Sequence, residues 1–105
     1  MRFVETPVFT RQIAELLSDE EYRSLQLALV FRPEQGAVFP RSGGLRKVRW
    51  RRSGGGKRGG LRVIYYWDQD AQQVYLLFVF SKTAQEDLSN AQLRVLRQLV
   101  REELK

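Results

Sequence analysis

The chain has no cysteine and no histidine, and each absence removes chemistry. Without cysteine there are no disulfides, no thiolate nucleophile and no cysteine-ligated zinc, and nothing marks an oxidising compartment. Without histidine, the side chain best suited to shuttling protons near neutrality is missing, so any acid–base step falls to another residue type. Apolar runs are short. None approaches the roughly 20 residues that span a bilayer, and residues 1–10 lack the charged, long-apolar, small-residue order of a signal peptide. A cytoplasmic location is expected, with neither secretion nor membrane insertion.

Acid is also missing locally. Residues 35–67 contain no Asp or Glu, yet they carry Arg41, Arg46, Lys47, Arg49, Arg51, Arg52, Lys57, Arg58 and Arg62. These nine cations are half of the 18 Lys and Arg residues, and the remainder of the chain sets nine cations against 12 carboxylates. A strongly positive segment on a mildly negative body is the footprint of a polyanion partner, because phosphates neutralised by Lys and Arg release their condensed counterions. Nucleic acid is the first class to consider.

What is present supports a folded protein. The 105 residues fit one domain, and 43% hydrophobic with 11% aromatic content supplies a core despite the net charge of +6. Residues 2–5 read as a short edge strand. Thr6-Pro7 reads as a helix start, followed by an apolar stripe at Phe9, Ile13, Leu16 and Leu17. Ser18 with Glu21 forms a capping box for a second helix whose buried side is Tyr22, Leu25, Leu29 and Val30, with Pro33 barring its extension.

Residues 45–52 then alternate, sending Val48 and Trp50 one way and Lys47, Arg49 and Arg51 the other. Residues 53–60 hold five of the eight glycines with Lys57 and Arg58, and read as a basic hairpin connection without the spacing of a phosphate-binding P-loop. Residues 61–67 and 74–80 are apolar on both faces and should form the sheet centre. Ser89 with Gln92 caps a last helix striped by Leu93, Leu96, Val100 and Leu104. The pattern predicts an α+β fold: a small antiparallel sheet, a helical hairpin packed on one face, and a C-terminal helix. With all helices on one face, the other face is expected to bind the partner.

In that topology Arg62 opens the middle strand and Lys82 closes the last, so the two cations are expected as cross-strand neighbours at one sheet end. Such a pair suits RNA, where a 2′-hydroxyl attacks the adjacent phosphorus and charge builds on the non-bridging oxygens. Arg62 would stabilise that charge through its planar fork, and Lys82 would serve as base or acid in place of histidine. Tyr66, on the same strand face as Arg62, would stack a base or hold the scissile phosphate. Arg46, Lys47, Arg49, Arg51, Lys57 and Arg58 form the expected RNA-binding set. Asp68 and Asp70 read as turn formers, while Glu86 and Asp87 read either as solubilising charges or as a carboxylate beside Lys82. No metal, cofactor or small-molecule ligand is expected.

The stretches GGLRKVRWRRSGGGKRGGLRVIYYW (43–67) and VYLLFVFSKTAQEDLSNAQ (74–92) resemble toxins of type II toxin-antitoxin modules in the RelE superfamily, closest to its HigB branch. The resemblance implies a RelE/ParE-like fold and a toxin that cleaves messenger RNA in the ribosomal A site, held inactive by a cognate helix-turn-helix antitoxin. By position it implies that Arg62 matches the family's mid-sheet catalytic arginine, Lys82 the basic residue closing the last strand, and Lys47, Arg49 and Lys57 the contacts to messenger and ribosomal RNA. Many members carry a tyrosine or histidine near the C-terminus, whereas residues 101–105 read REELK, so the general base stays open. Relatives of the same fold poison DNA gyrase without cutting RNA. A non-catalytic inhibitor of gyrase or the ribosome, and a plain RNA-binding module, therefore stand as alternatives.

Overall fold

The computed structural model describes residues 1–52 and 60–104. Its elements are β1 (Arg2–Glu5), α1 (Pro7–Leu16), α2 (Asp19–Phe31), β2 (Ala37–Val38), β3 (Leu45–Arg51), β4 (Gly60–Asp68), β5 (Gln73–Ser81) and α3 (Asn90–Leu99), which continues as a π-helical turn through Val100–Leu104. The helix starts form where side chains satisfy the free amides of a first turn. Thr6 Oγ1 accepts from Phe9 N with Pro7 next in line, and Ser18 and Ser89 each sit in a complete capping box, with Glu21 and Gln92 reaching back.

The three long strands form the expected antiparallel meander, but the sheet is larger and mixed, in the order β1-β5-β4-β3-β2. β1 lies parallel to β5 at one edge, and the two-residue β2 pairs with β3 at the other. Where β1 ends, α1 takes over the edge of β5: Thr6 Oγ1 donates to Leu77 O at 2.8 Å, and Gln12 Oε1 accepts from Val79 N at 3.0 Å. These hydrogen bonds satisfy backbone groups that a buried strand edge would otherwise leave unpaired. The β4–β5 register steps from Ile64↔Phe78 to Tyr65↔Leu76, leaving Leu77 as the extra residue of a bulge. The bulge turns both Leu77 and Phe78 toward α3.

Helices cover both faces of the sheet. Phe9, Ile13, Leu17, Leu25 and Leu29 from α1, α2 and their junction pack on Val48, Leu61, Val63, Tyr65, Val74, Leu76 and Val79. On the opposite face Leu96 and Val100 pack on Leu45, Ile64, Leu77 and Phe80. The expectation that all helices share one face is therefore corrected. β4 and β5 are apolar on both sides, and each fully buried Leu or Phe stabilises the fold by about 1.5–3 kcal/mol, so neither side can stay bare. Val30, expected in the core, is 45% exposed. Tyr65 is fully buried and pins the α2–β2 loop, its hydroxyl donating to Pro33 O at 2.7 Å and accepting from Gly36 N at 2.9 Å. A Cβ at Gly36 would lie 2.8 Å from that ring, so the close approach requires glycine.

Candidate active site

The register of β3 against β4 decides which cations meet. Arg49 is opposite Arg62, Lys47 opposite Ile64 and Arg51 opposite Gly60. Since alternate residues share a face, Lys47, Arg49, Arg51 and Arg62 all stand on the α3 side, the grouping that strand alternation predicts. Leu45, Ile64 and Phe80 bury the rest of that face beneath α3, whereas Arg49 and Arg51 remain exposed.

Arg46 stands apart from this set. Its partner Tyr65 faces α1 and α2, and its Nη1 donates to the carbonyls of Glu34 and Gly36, each at 2.9 Å. That guanidinium ties down the loop before β2. Lys57 and Arg58 lie outside the described residues.

Arg62 is buried, with 7% of its surface open, and its one hydrogen bond among the described residues is a long one to Leu61 O at 3.4 Å. It has no ion-pair partner among them, and its direct neighbour on β5 is Phe80. Lys82 follows the end of β5, its N–H donating to Gly60 O at 3.1 Å, which places it diagonally from Arg62. The two backbones are then about 7–8 Å apart, one step further than direct opposition. The Lys82 side chain is exposed, so the partial burial expected of it is not found.

Tyr66 shares the face of Arg62 but lies four residues along β4, roughly 13 Å away at a strand's rise per residue. Its ring packs against the α3-side core and tilts against Tyr75 at 6.3 Å. Burial, then the charges of Asp68 and Asp70, then Tyr75, push its hydroxyl above the ordinary value. That distance separates Tyr66 from a phosphate held by Arg62.

The structure adds a carboxylate from far along the chain. Asp87, in the loop between β5 and α3, accepts from Lys47 Nζ at 3.0 Å through Oδ2 and from Leu88 N at 2.8 Å through Oδ1. Burial pushes its pKa up, but the hydrogen bonds from Lys47 and Leu88 and the charges of Lys47 and Arg62 outweigh it and hold the carboxyl below its ordinary range. Lys47 also sits over the Phe39 ring, 5.3 Å from its centre. Of the two readings left open for Asp87, the structure gives a third: it balances the acid-free β3, across 40 residues. Among the described residues, no three His, Cys, Asp or Glu side chains gather so as to hold a metal ion.

A buried arginine with one weak bond, flanked by cations on one face of an α+β sheet, is what a phosphoryl-binding centre requires. Along its whole length, residues 1–105, the chain matches the family model described as RelE toxin of the RelE / RelB toxin-antitoxin system. It belongs to the RelE toxin family. The match is to the family as a whole. Membership makes the chain the toxin of a toxin-antitoxin pair, with an antitoxin as its partner, and RelE toxins are generally endoribonucleases that inhibit translation. The mixed five-stranded α+β sheet described above is consistent with RelE-like toxins. Among the described residues no helix is long and apolar enough to cross a membrane.

Proposed function

We propose that this RelE toxin is a ribosome-dependent endoribonuclease that cleaves messenger RNA in the A site, with Arg62 at its chemical centre. The observation that carries the reading is Arg62 itself, nearly buried, without a salt-bridged carboxylate among the described residues, beside Lys47, Arg49 and Arg51 on one face. In the reaction the 2′-oxygen bonds to the adjacent phosphorus, the bond from phosphorus to the 5′-oxygen breaks, and a 2′,3′-cyclic phosphate and a 5′-hydroxyl result. Arg62 neutralises the charge growing on the non-bridging oxygens, and Lys82 supplies the proton that the departing 5′-oxygen takes up. Tyr66 stacks a neighbouring base, the role that its distance from Arg62 favours.

Asp87 acts here as a positioning group. A carboxyl held below its ordinary pKa is a weak base, and its hydrogen bond orients Lys47. The 2′-proton is then left to solvent or to the ribosome. That requirement supports ribosome dependence, because a site with little acid–base power depends on having its substrate held in an attack geometry. Lys47, Arg49 and Arg51, with Lys57 and Arg58 from the β3–β4 connection, dock messenger and ribosomal RNA. The antitoxin is read as a helix-turn-helix protein acting with the toxin in the cytoplasm.

Mapping messenger 5′ ends in a translating extract tests the proposal. Wild-type protein should generate new ends at A-site codons and Arg62→Ala should not, with the two proteins melting alike. Unchanged cleavage by the variant would remove Arg62 from the chemistry. Growth arrest without new RNA ends would instead favour a non-catalytic inhibitor.

A further inference from the structure

A basic cavity lies at the other end of the same face from Arg62. It has a volume of about 330 Å³ and is lined by Arg41, Ser42, Gly43, Arg97 and Arg101. We propose that it is a phosphate-binding subsite for the RNA backbone, distinct from Arg62 and holding a phosphate further along the same strand. This rests on the reading of the α3 face as an RNA surface.

Three arginines line the cavity, and none has an ion-pair partner among the described residues. Arg97 and Arg101 are four residues apart on α3 and its π-helical continuation, a spacing at which like charges repel. Burial of the adjacent Leu96 and Val100 fixes that part of the helix against the sheet. Arg97 Nη1 reaches the Arg41 carbonyl at 3.4 Å, closing helix against loop. Arg41 holds a left-handed backbone, φ 58°, which is unfavourable for a residue with a side chain. Ser42 is 1% exposed and locks the turn, its hydroxyl donating to Phe39 O at 2.6 Å and accepting from Leu45 N at 3.0 Å. The fold thus holds three cations together at a strained loop, with no anion paired to them among the described residues, and planar forks of this kind suit a phosphate.

Position selects RNA over an acidic protein segment. The loop feeds into Leu45, whose cross-strand partner is Tyr66, and Arg62 is four residues further along β4. Phosphate site, aromatic ring and phosphate site therefore follow one another along one face, with Tyr66 and Arg62 roughly 13 Å apart. Each nucleotide of RNA carries both a phosphate and a base, so a strand laid along this face can meet the cations with its backbone and the ring with a base.

The test is binding of a fluorescent, fully 2′-O-methylated oligoribonucleotide, which blocks 2′-attack, measured by anisotropy over a salt series. Arg97→Gln/Arg101→Gln should bind at least about tenfold more weakly at low salt, with a salt slope smaller by about 0.7 for each phosphate that is no longer neutralised. Arg97→Lys/Arg101→Lys should fall between the two in affinity and keep the slope. If the double Gln variant does not fold by circular dichroism, the single change at exposed Arg101 should still lower affinity and slope together. Wild-type affinity and slope in the Gln variants, with weakened binding in Arg49→Ala, would overturn the subsite and leave the RNA reading standing. Weakened binding of a poly-glutamate peptide with RNA binding unchanged would reassign the cavity to an acidic protein segment. No salt-dependent RNA binding by the wild type would overturn the RNA reading and the subsite with it.

Discussion

Arg46 and Arg62 stand on opposite faces of one sheet, sixteen positions apart in one acid-free run, and their surroundings differ completely. Beneath α1 and α2, Arg46 gives two 2.9 Å hydrogen bonds to loop carbonyls. On the α3 side, Arg62 gives one among the described residues, at 3.4 Å. The first face uses its cation to complete the fold, and on the proposed function the second keeps its cation for an incoming oxyanion. Arg62 is buried and Arg46 only half-buried, and they differ as well in whether their donors already have acceptors among the described residues.

The sharpest way to break this comparison is to remove each arginine in turn. Arg62→Ala should lower messenger cleavage about 10²–10³-fold, the usual cost of losing one group that stabilises transition-state charge, with little change in melting temperature. Arg46→Ala should do the reverse, keeping cleavage at permissive temperature but destabilising the fold by about 1–3 kcal/mol in urea titration, because two loop carbonyls lose a charged donor. If Arg46→Ala proved inactive but fully stable, the division between the faces would be wrong.

Much of this contrast is legible in the sequence. Strand alternation groups Lys47, Arg49 and Arg51 and sends Arg46 to the other side, a signal that the expected RNA-binding set, which included Arg46, passed over. Both capping boxes and the two-sided apolar character of residues 61–67 and 74–80 read directly, as local or period-2 signals do. The same two-sided character argues for helices on both faces, which the expectation of a single covered face overlooks. β2 is illegible because a two-residue strand has no period. The bulge at Leu77 is hidden because an insertion is defined only against its partner strand. Asp87 can be flagged but not placed, since nothing local links it to Lys47.

Tyr66 refines the second face. If its ring stacks a base, Tyr66→Phe should keep cleavage within about twofold, whereas Tyr66→Ala should lose about tenfold or more, the range of one stacking interaction. The measurement is single-turnover cleavage across pH. A large loss in Tyr66→Phe would transfer the residue to proton chemistry and bring it, against the geometry, into the Arg62 centre.

The smallest effect concerns Asp87, the carboxylate paired with Lys47 on the cationic face. Asp87 has its pKa lowered in the folded state, so its contribution to stability is present above the ordinary carboxylate value of 3.8 and is lost as pH falls below it through the folded value. The pair is open to solvent, 21% at Lys47 and 50% at Asp87, so screening limits the contribution to below about 1 kcal/mol. Asp87→Asn should therefore melt slightly lower than wild type at neutral pH, and the two should converge as pH falls well below 3.8 and at high salt. A gap that persisted under acid would mean that the ion pair is not what Asp87 supplies. Removing the charge should also leave the face more positive and tighten RNA binding slightly at low salt. On the Arg46 face, where the cation is already satisfied by neutral carbonyls, no comparable neutralisation exists among the described residues, and a change in charge there should register in stability alone.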